Sequence, residues 1–162
     1  MRVDESRRAL YKLPAGAYRR ATLNEAVDTT TSTAKGPPRN LRVVVVEDEP
    51  DALNTLVELL RSEGHIAEGA RNSKEFWRLF HRIGPVVCLV DIGLPDRSGY
   101  DIAQEMSRRY GTQRPKLVAV TAWTKPSDRI LARMAGFDQH VAKPYDPAAL
   151  LALVSEIVTP AE

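Results

Sequence analysis

The sequence predicts an α/β domain built on a doubly wound parallel sheet, and three observations lead to that fold class. Short apolar runs rich in β-branched residues alternate with longer segments whose apolar residues recur at helical spacing. Strands that are apolar throughout suit a parallel sheet with helices on both faces. Right-handed crossovers then restrict five such strand and helix pairs to a doubly wound (βα)5 arrangement.

The first half of the domain begins with a β-branched run at residues 41–46, which predicts a buried strand. Pro50 suits the first turn of the following helix, and Gly64 ends its apolar periodicity. A short strand at residues 65–70 comes next. The segment 73–82 has its apolar side chains on one face, which predicts an amphipathic helix.

The second half repeats this alternation. We predict strands at residues 86–90, 116–120 and 137–142, and helices at residues 100–109, 126–135 and 147–158. Gly136 ends the fourth helix. Cys88 is the single cysteine and lies within an apolar strand, so we expect a buried thiol and no disulfide within the chain.

Residues 1–40 differ in composition from the rest of the chain. They carry eight basic and four acidic residues, whereas the whole chain has a net charge of +2, so the remainder is mildly acidic. Residues 28–40 are small and polar and contain Gly36-Pro37-Pro38, which breaks regular structure. We expect a basic, flexible N-terminal extension and linker at residues 1–40 and one globular domain at residues 41–160.

Charge and hydropathy also narrow the functional classes. A mildly acidic globular part argues against direct binding of nucleic acid. The chain starts without an apolar signal segment, and no apolar run is long enough to span a membrane. We therefore expect a cytoplasmic protein that does not bind membranes.

Polar side chains follow four of the predicted strands. Glu47 and Asp48 come after the first strand, Asp91 after the third, Thr121 after the fourth and Lys143 after the fifth. Ligands of doubly wound sheets bind at this edge. Three neighbouring carboxylates repel one another, and oxygen ligands with room for water suit Mg²⁺. A carboxylate beside Mg²⁺ and a lysine can attack phosphorus, which predicts an aspartyl phosphate.

Four stretches around these residues resemble the receiver domains of two-component response regulators, in order and at similar spacing. They are Val-Val-Val-Val-Glu-Asp-Glu-Pro, Leu-Val-Asp-Ile-Gly-Leu-Pro-Asp-Arg-Ser-Gly-Tyr, Val-Ala-Val-Thr-Ala-Trp and Ala-Lys-Pro-Tyr. The resemblance covers about residues 41–158 and implies a flavodoxin-like sheet with strand order 2-1-3-4-5. The motifs are most similar to the receivers of hybrid histidine kinases, which favours a phosphorelay.

The resemblance implies a metal site with a role for each acid. Asp91 is the expected phospho-acceptor. Asp48 is expected to bind Mg²⁺ directly and Glu47 through water. The backbone carbonyl of Gly93 completes the expected metal shell.

The same resemblance implies a phosphoryl site and a switch. Thr121 and Lys143 are expected to bind the phosphoryl group, and the peptide bond before Pro144 is expected to be cis. His140 stands where many relatives carry Tyr or Phe, a ring that turns inward as the threonine moves. We hypothesise that His140 serves as a smaller rotating ring; an exposed histidine without such a role is the alternative.

Two positions bear on the lifetime of the phosphoryl group. Gly93, two residues after the acceptor, has no side chain to orient water, and Trp123, two residues after Thr121, is large and apolar. We hypothesise slow intrinsic hydrolysis. The alternative is that Trp123 simply packs on the surface near the site.

The last predicted helix is apolar almost all round, which indicates a second contact besides the core. Leu150, Leu153, Val154 and Ile157 form the predicted core stripe. Leu151, Ala152 and Val158 lie off that stripe and form a predicted partner surface. In the resembled family such surfaces, including homodimer contacts, often lie on the fourth helix, fifth strand and fifth helix; burial against the tail is the alternative.

The function expected from these patterns is a phosphorylation-activated switch. A sensor histidine kinase or a histidine phosphotransfer protein would supply the phosphoryl group. Only residues 159–162 follow the last helix, so we expect output by contact with a downstream protein. We expect no enzyme activity beyond its own phosphorylation and dephosphorylation. Two alternatives remain, a constitutive interaction module and an aspartate-nucleophile phosphatase; the latter needs a second acid where Gly93 stands.

Overall fold

The structure, a computed structural model, describes residues 40–158. Residues 1–39 and 159–162 lie outside the described residues, and with them most of the predicted extension and the predicted end of the domain. Within the described range, five parallel strands form one sheet in the order β2-β1-β3-β4-β5. The predicted fold class and strand order are confirmed.

Strands and helices alternate from β1 to α5. The strands are β1 (Arg42–Val46), β2 (Ile66–Ala70), β3 (Val87–Val90), β4 (Lys116–Thr121) and β5 (Gln139–Ala142). The helices are α1 (Pro50–Ser62), α2 (Ser73–Ile83), α3 (Gly99–Tyr110), α4 (Pro126–Ala135) and α5 (Pro147–Val158).

Two apolar layers cover the sheet, one on each face. Val43 and Val45 of β1 point to the layer formed with α1 and α5. Val44 and Val46 point to the opposite layer, formed with α2, α3 and α4. This alternation explains why β1 has no polar face: both of its sides are buried. Cys88 is fully buried in the second layer, and burial raises the pKa of its thiol, which keeps it protonated.

The sequence missed two local features between the regular elements. A short 3₁₀ turn, Gly111–Gln113, follows α3. Strand β5 begins at Gln139 rather than at Phe137, because the Phe137 amide donates to Ala132 and so belongs to the turn that ends α4. Gly136 makes that turn with a φ of 111°, a region that favours glycine.

One residue of the predicted partner surface on α5, Val158, needs correction. Val158 is only 4% exposed and belongs to the core layer, and Leu151 is half-buried against that layer. Ala152 is exposed. An apolar helix gives little periodicity from which to read its buried face, which explains the wrong assignment. The exposed large apolar side chains of the helices lie on α4 instead: Ile130, Leu131 and Met134.

Candidate functional site

The sheet brings four of the predicted polar positions together at its carboxyl edge. The backbone pairing continues one residue past the strands: the Asp91 amide donates to the Val46 carbonyl at 2.9 Å, and the Lys143 amide donates to the Thr121 carbonyl at 2.9 Å. Asp91 and Lys143 are therefore held as firmly as strand residues. Glu47 follows β1 in the same way and is buried.

Lys143 is the centre of the site. Its Nζ donates to Asp91 Oδ2 at 3.0 Å and also donates to Glu47 Oε2. The second oxygen of Glu47 accepts a hydrogen bond from the Glu49 amide at 3.2 Å. Carboxylate oxygens of Glu47, Asp48 and Asp91 all lie within 4.8 Å of one another. The peptide bond between Lys143 and Pro144 is cis.

The charges in this cluster do not balance. Burial raises the pKa of Glu47, and the negative charge of Asp91 adds to the effect; hydrogen bonds from Lys143 and Glu49 offset it only in part. Burial alone would lower the pKa of Lys143, but its hydrogen bonds to Glu47 and Asp91 outweigh burial and raise it. Three carboxylates thus share one ammonium, and the surplus negative charge favours a cation.

The donor set fits a magnesium ion. Mg²⁺ prefers hard oxygen ligands at about 2.0–2.1 Å in octahedral geometry and keeps several waters. Three carboxylate oxygens within 4.8 Å of one another can reach one such ion with small side-chain movements. Glu47, Asp48 and Asp91 would hold it, and the exposed Gly93 lies in the adjoining loop.

Trp123 covers the loop beside the acceptor. The Gly93 amide donates to Asp91 Oδ1 at 3.1 Å. A Cβ added to Gly93 would lie 4.0 Å from both Cζ2 and Nε1 of the Trp123 indole, so the ring rests beside this glycine. Trp123 is 47% exposed. The ring centroid of Tyr100, on α3, lies 6.2 Å from that of the indole. The indole therefore flanks the approach to Asp91.

The backbone of Trp123 joins the two residues predicted to form the switch. Its amide donates to Thr121 Oγ1 at 3.2 Å, and its carbonyl oxygen lies 2.9 Å from His140 Nε2. Thr121 is 1% exposed, so its hydroxyl is buried. The main chain of Trp123 therefore links Thr121 to His140 through two hydrogen bonds.

Sequence reasoning missed two residues that shape the acceptor loop. Asp96 accepts hydrogen bonds from Ser73, the first residue of α2. Gly99 lies against the acceptor itself, because a Cβ there would lie 2.5 Å from the Asp91 carbonyl oxygen. Spacing along the chain gives no signal for Asp96, because its partner is 23 residues away.

Comparison with known proteins agrees with this geometry. The family model described as response regulator receiver domain matches residues 43–155. An uncharacterized 14.6 kDa protein of Leptolyngbya boryana is 31% identical over 114 residues, which cover 70% of this chain and 87% of that protein. The transcriptional regulatory protein TrcR of Mycobacterium tuberculosis is 34% identical over 119 residues, covering 74% of this chain and 45% of TrcR.

Solved structures give the same answer for the fold. A response regulator receiver domain protein of Methanospirillum hungatei has a TM-score of 0.66 and 26% identity, covering 73% of this chain and 93% of that one. The BeF3-activated DrrB receiver domain has a TM-score of 0.65 and 24% identity, covering 73% of this chain and 97% of that one. The match to TrcR spans less than half of that protein, so TrcR has a further region that the match does not include.

Proposed function

Because the chain belongs to the response regulator receiver domain family, we propose that it accepts a phosphoryl group on Asp91 and acts as a switch read by other proteins. One observation carries this proposal. Lys143 donates to Asp91 and Glu47 at once, at the sheet edge where Asp48 adds a third carboxylate. A surface lysine before a turn would not need two acidic partners whose side chains are only 8% and 13% exposed.

Each residue has a defined task in the proposed reaction. An oxygen of Asp91 attacks phosphorus in line as the P–N bond of a donor phosphohistidine breaks, and the leaving imidazole takes a proton from solvent. Lys143 then stabilises the charge on the phosphoryl oxygens, and Thr121 donates a hydrogen bond to one of them. Bound Mg²⁺ would neutralise further charge on those oxygens. Glu47, Asp48 and Asp91 would hold the metal, with Gly93 contributing its backbone carbonyl.

The phosphoryl donor in this proposal is a sensor histidine kinase or a histidine phosphotransfer protein. Output would pass to a downstream protein or to a second copy of this chain. The exposed apolar side chains of α4, flanked by the exposed Arg129 and Arg133, support a contact surface on that helix rather than on α5. Among the described residues, no helix is long and apolar enough to cross a membrane.

Two further functions fit the observations less well. A phosphatase that uses an aspartate nucleophile needs an acid or base beside the acceptor, and Gly93 offers none at that position. A constitutive interaction module would not need the paired Lys143 and Asp91.

Tryptophan fluorescence provides the direct test. We would titrate the protein with Mg²⁺, then with Mg²⁺ and beryllofluoride, in wild type and in Asp91→Ala. We expect a response to beryllofluoride in wild type alone, because Trp123 rests beside Gly93. Mass spectrometry after incubation with acetyl phosphate should show one added phosphoryl group in wild type only. No phosphoryl adduct and no Mg²⁺ response would reject the proposal.

A further inference from the structure

Asp96 ties the acceptor loop to a neighbouring helix. It lies near the tip of the loop between β3 and α3. Its Oδ2 and Oδ1 lie 2.9 and 3.1 Å from the Ser73 amide nitrogen, and the Ser73 hydroxyl donates to Oδ2 as well. One carboxylate therefore accepts from both donors of a residue in another βα unit.

The other end of this tie is the start of α2, a helix packed into the core. Ser73 is 6% exposed and is the first residue of α2. Phe76 and Phe80 of the same helix are completely buried in the core layer. The helix cap residue Asn72 accepts from the Glu75 amide instead, so the Ser73 amide depends on Asp96 for its partner.

The base of the acceptor loop is fixed by different contacts. The Gly99 amide donates to the Ile92 carbonyl at 2.9 Å. A Cβ at Gly99 would lie 2.5 Å from the Asp91 carbonyl oxygen and 2.8 Å from Ile92 Cα. The first residue of α3 is therefore packed directly against the backbone of the acceptor. Between this base and the tip at Asp96 lies the exposed Gly93.

We propose that Asp96 is a positioning residue, which through Ser73 holds the acceptor loop so that the Gly93 carbonyl and the Asp91 carboxylate face the metal. This inference rests on the proposed function. The surroundings of Asp96 support it: burial would raise the pKa of Asp96, but its hydrogen bonds with Ser73 lower it, so the carboxylate stays ionised. A carboxylate that served only as a helix cap would stabilise α2 without affecting Mg²⁺ affinity.

The test measures Mg²⁺ affinity and thermal stability separately. Fluorescence titrations with Mg²⁺ at constant ionic strength would use a Trp77→Phe background, so that Trp123 is the one remaining tryptophan. We expect Asp96→Ala to weaken Mg²⁺ binding about tenfold, the scale of losses for partners that orient metal ligands. Asp96→Asn keeps an oxygen that can accept from the Ser73 amide, and Ser73→Ala keeps the main-chain amide as a donor. We therefore expect both variants to lose less Mg²⁺ affinity than Asp96→Ala does.

Arg97→Ala is the matched control. Arg97 is the next residue of the same exposed loop and pairs with Glu105 at 2.7 Å, away from Ser73. We expect it to change Mg²⁺ affinity by less than about twofold, as for an exposed ion pair.

Each outcome of the test has a meaning. A lower melting temperature with unchanged Mg²⁺ affinity in Asp96→Ala would make Asp96 a helix cap and overturn the inference. If Asp96→Ala does not fold, unchanged Mg²⁺ affinity in both Asp96→Asn and Ser73→Ala overturns it equally. A wild type that binds no Mg²⁺, by fluorescence or by a thermal shift, would instead reject the proposed function and the inference with it.

Discussion

The Nε2 atom of His140 lies 2.9 Å from the main-chain oxygen of Trp123. Because a carbonyl oxygen only accepts, the ring must carry its proton on Nε2 in this arrangement. The Nδ1 atom of the same ring is buried and has no hydrogen-bond partner. His140 is therefore tied to the residue whose amide donates to Thr121.

We predict that His140→Ala uncouples phosphorylation from the α4 surface. Beryllofluoride should still bind, because His140 does not touch Asp91, but the amide resonances of α4 should no longer shift. Nuclear magnetic resonance spectra with and without beryllofluoride would measure this. Gln139→Ala, an exposed neighbour on β5, is the control. Wild-type shifts in His140→Ala would mean that the ring is a bystander.

A second prediction concerns the lifetime of the phosphoryl group. The Trp123 indole rests beside Gly93, and neither residue carries a side-chain acceptor that could orient an attacking water. The wild-type aspartyl phosphate should therefore persist for minutes or longer. Trp123→Ala should speed hydrolysis about tenfold, equivalent to about 1.4 kcal/mol of barrier.

Loss of radiolabelled phosphate over time would measure these rates, with Trp77→Phe on α2 as the control. A wild-type half-life of seconds would contradict the hypothesis of slow hydrolysis. An unchanged rate in Trp123→Ala would show that the indole merely packs on the surface.

We predict that replacing Lys143 slows phosphoryl transfer without weakening metal binding. Lys143→Met keeps the apolar stem of the side chain but removes the ammonium that donates to Asp91 and Glu47. Phosphorylation by acetyl phosphate should slow about a hundredfold, as for loss of one donor to a developing oxyanion. Mg²⁺ affinity should not fall, because the cluster then has a more negative net charge.

The control is Lys125→Met, since Lys125 is an exposed lysine that precedes α4. Joint loss of phosphorylation and Mg²⁺ affinity in Lys143→Met would mean that the lysine chiefly holds the cluster together.

The sequence was informative wherever local pattern and tertiary structure coincide. Strand β1 is buried on both faces, so its unbroken β-branched run identified it, and Glu47 and Asp48 follow directly. Pro50 and Gly136 mark helix ends because their backbone preferences act locally. The acidic cluster could be anticipated because parallel strands end at one edge.

Contacts between distant segments could not be anticipated in this way. The bond from Ser73 to Asp96 and the tie between His140 and Trp123 each join residues whose pairing depends on how loops meet in space. The buried face of α5 was predicted wrongly for a different reason. Helix α5 is apolar all round, so its sequence has no periodicity that distinguishes the buried face. Packing against α1 and the sheet buries Val158.

The α4 surface gives a fourth prediction. Met134 is 78% exposed and Ile130 is 61% exposed, which is costly unless a partner covers them. We expect beryllofluoride to increase self-association in sedimentation velocity, and Met134→Lys to abolish the increase while phosphorylation continues. Ala152→Lys, on the exposed side of α5, should leave it intact. A wild type that stays monomeric in both states would contradict a homodimer through α4.

The last prediction concerns the dependence of stability on pH. His65 is 7% exposed, and burial lowers its pKa, which the nearby charge of Glu63 offsets only in part. The folded protein therefore binds this proton less readily than the unfolded chain does. Its contribution to stability is complete above the ordinary histidine pKa of about 6.5 and is lost as pH falls below that value.

Replacing His65 by Leu should remove this loss, so the free energy of unfolding should fall less steeply than in wild type between about pH 7 and pH 5. Glu63→Gln should have the opposite effect, because it removes the charge that favours the protonated ring. Urea unfolding at a series of pH values would measure both slopes. Parallel curves for wild type and His65→Leu would show that His65 titrates alike in the folded and unfolded chains, and the acid sensitivity would then have to come from the carboxylates.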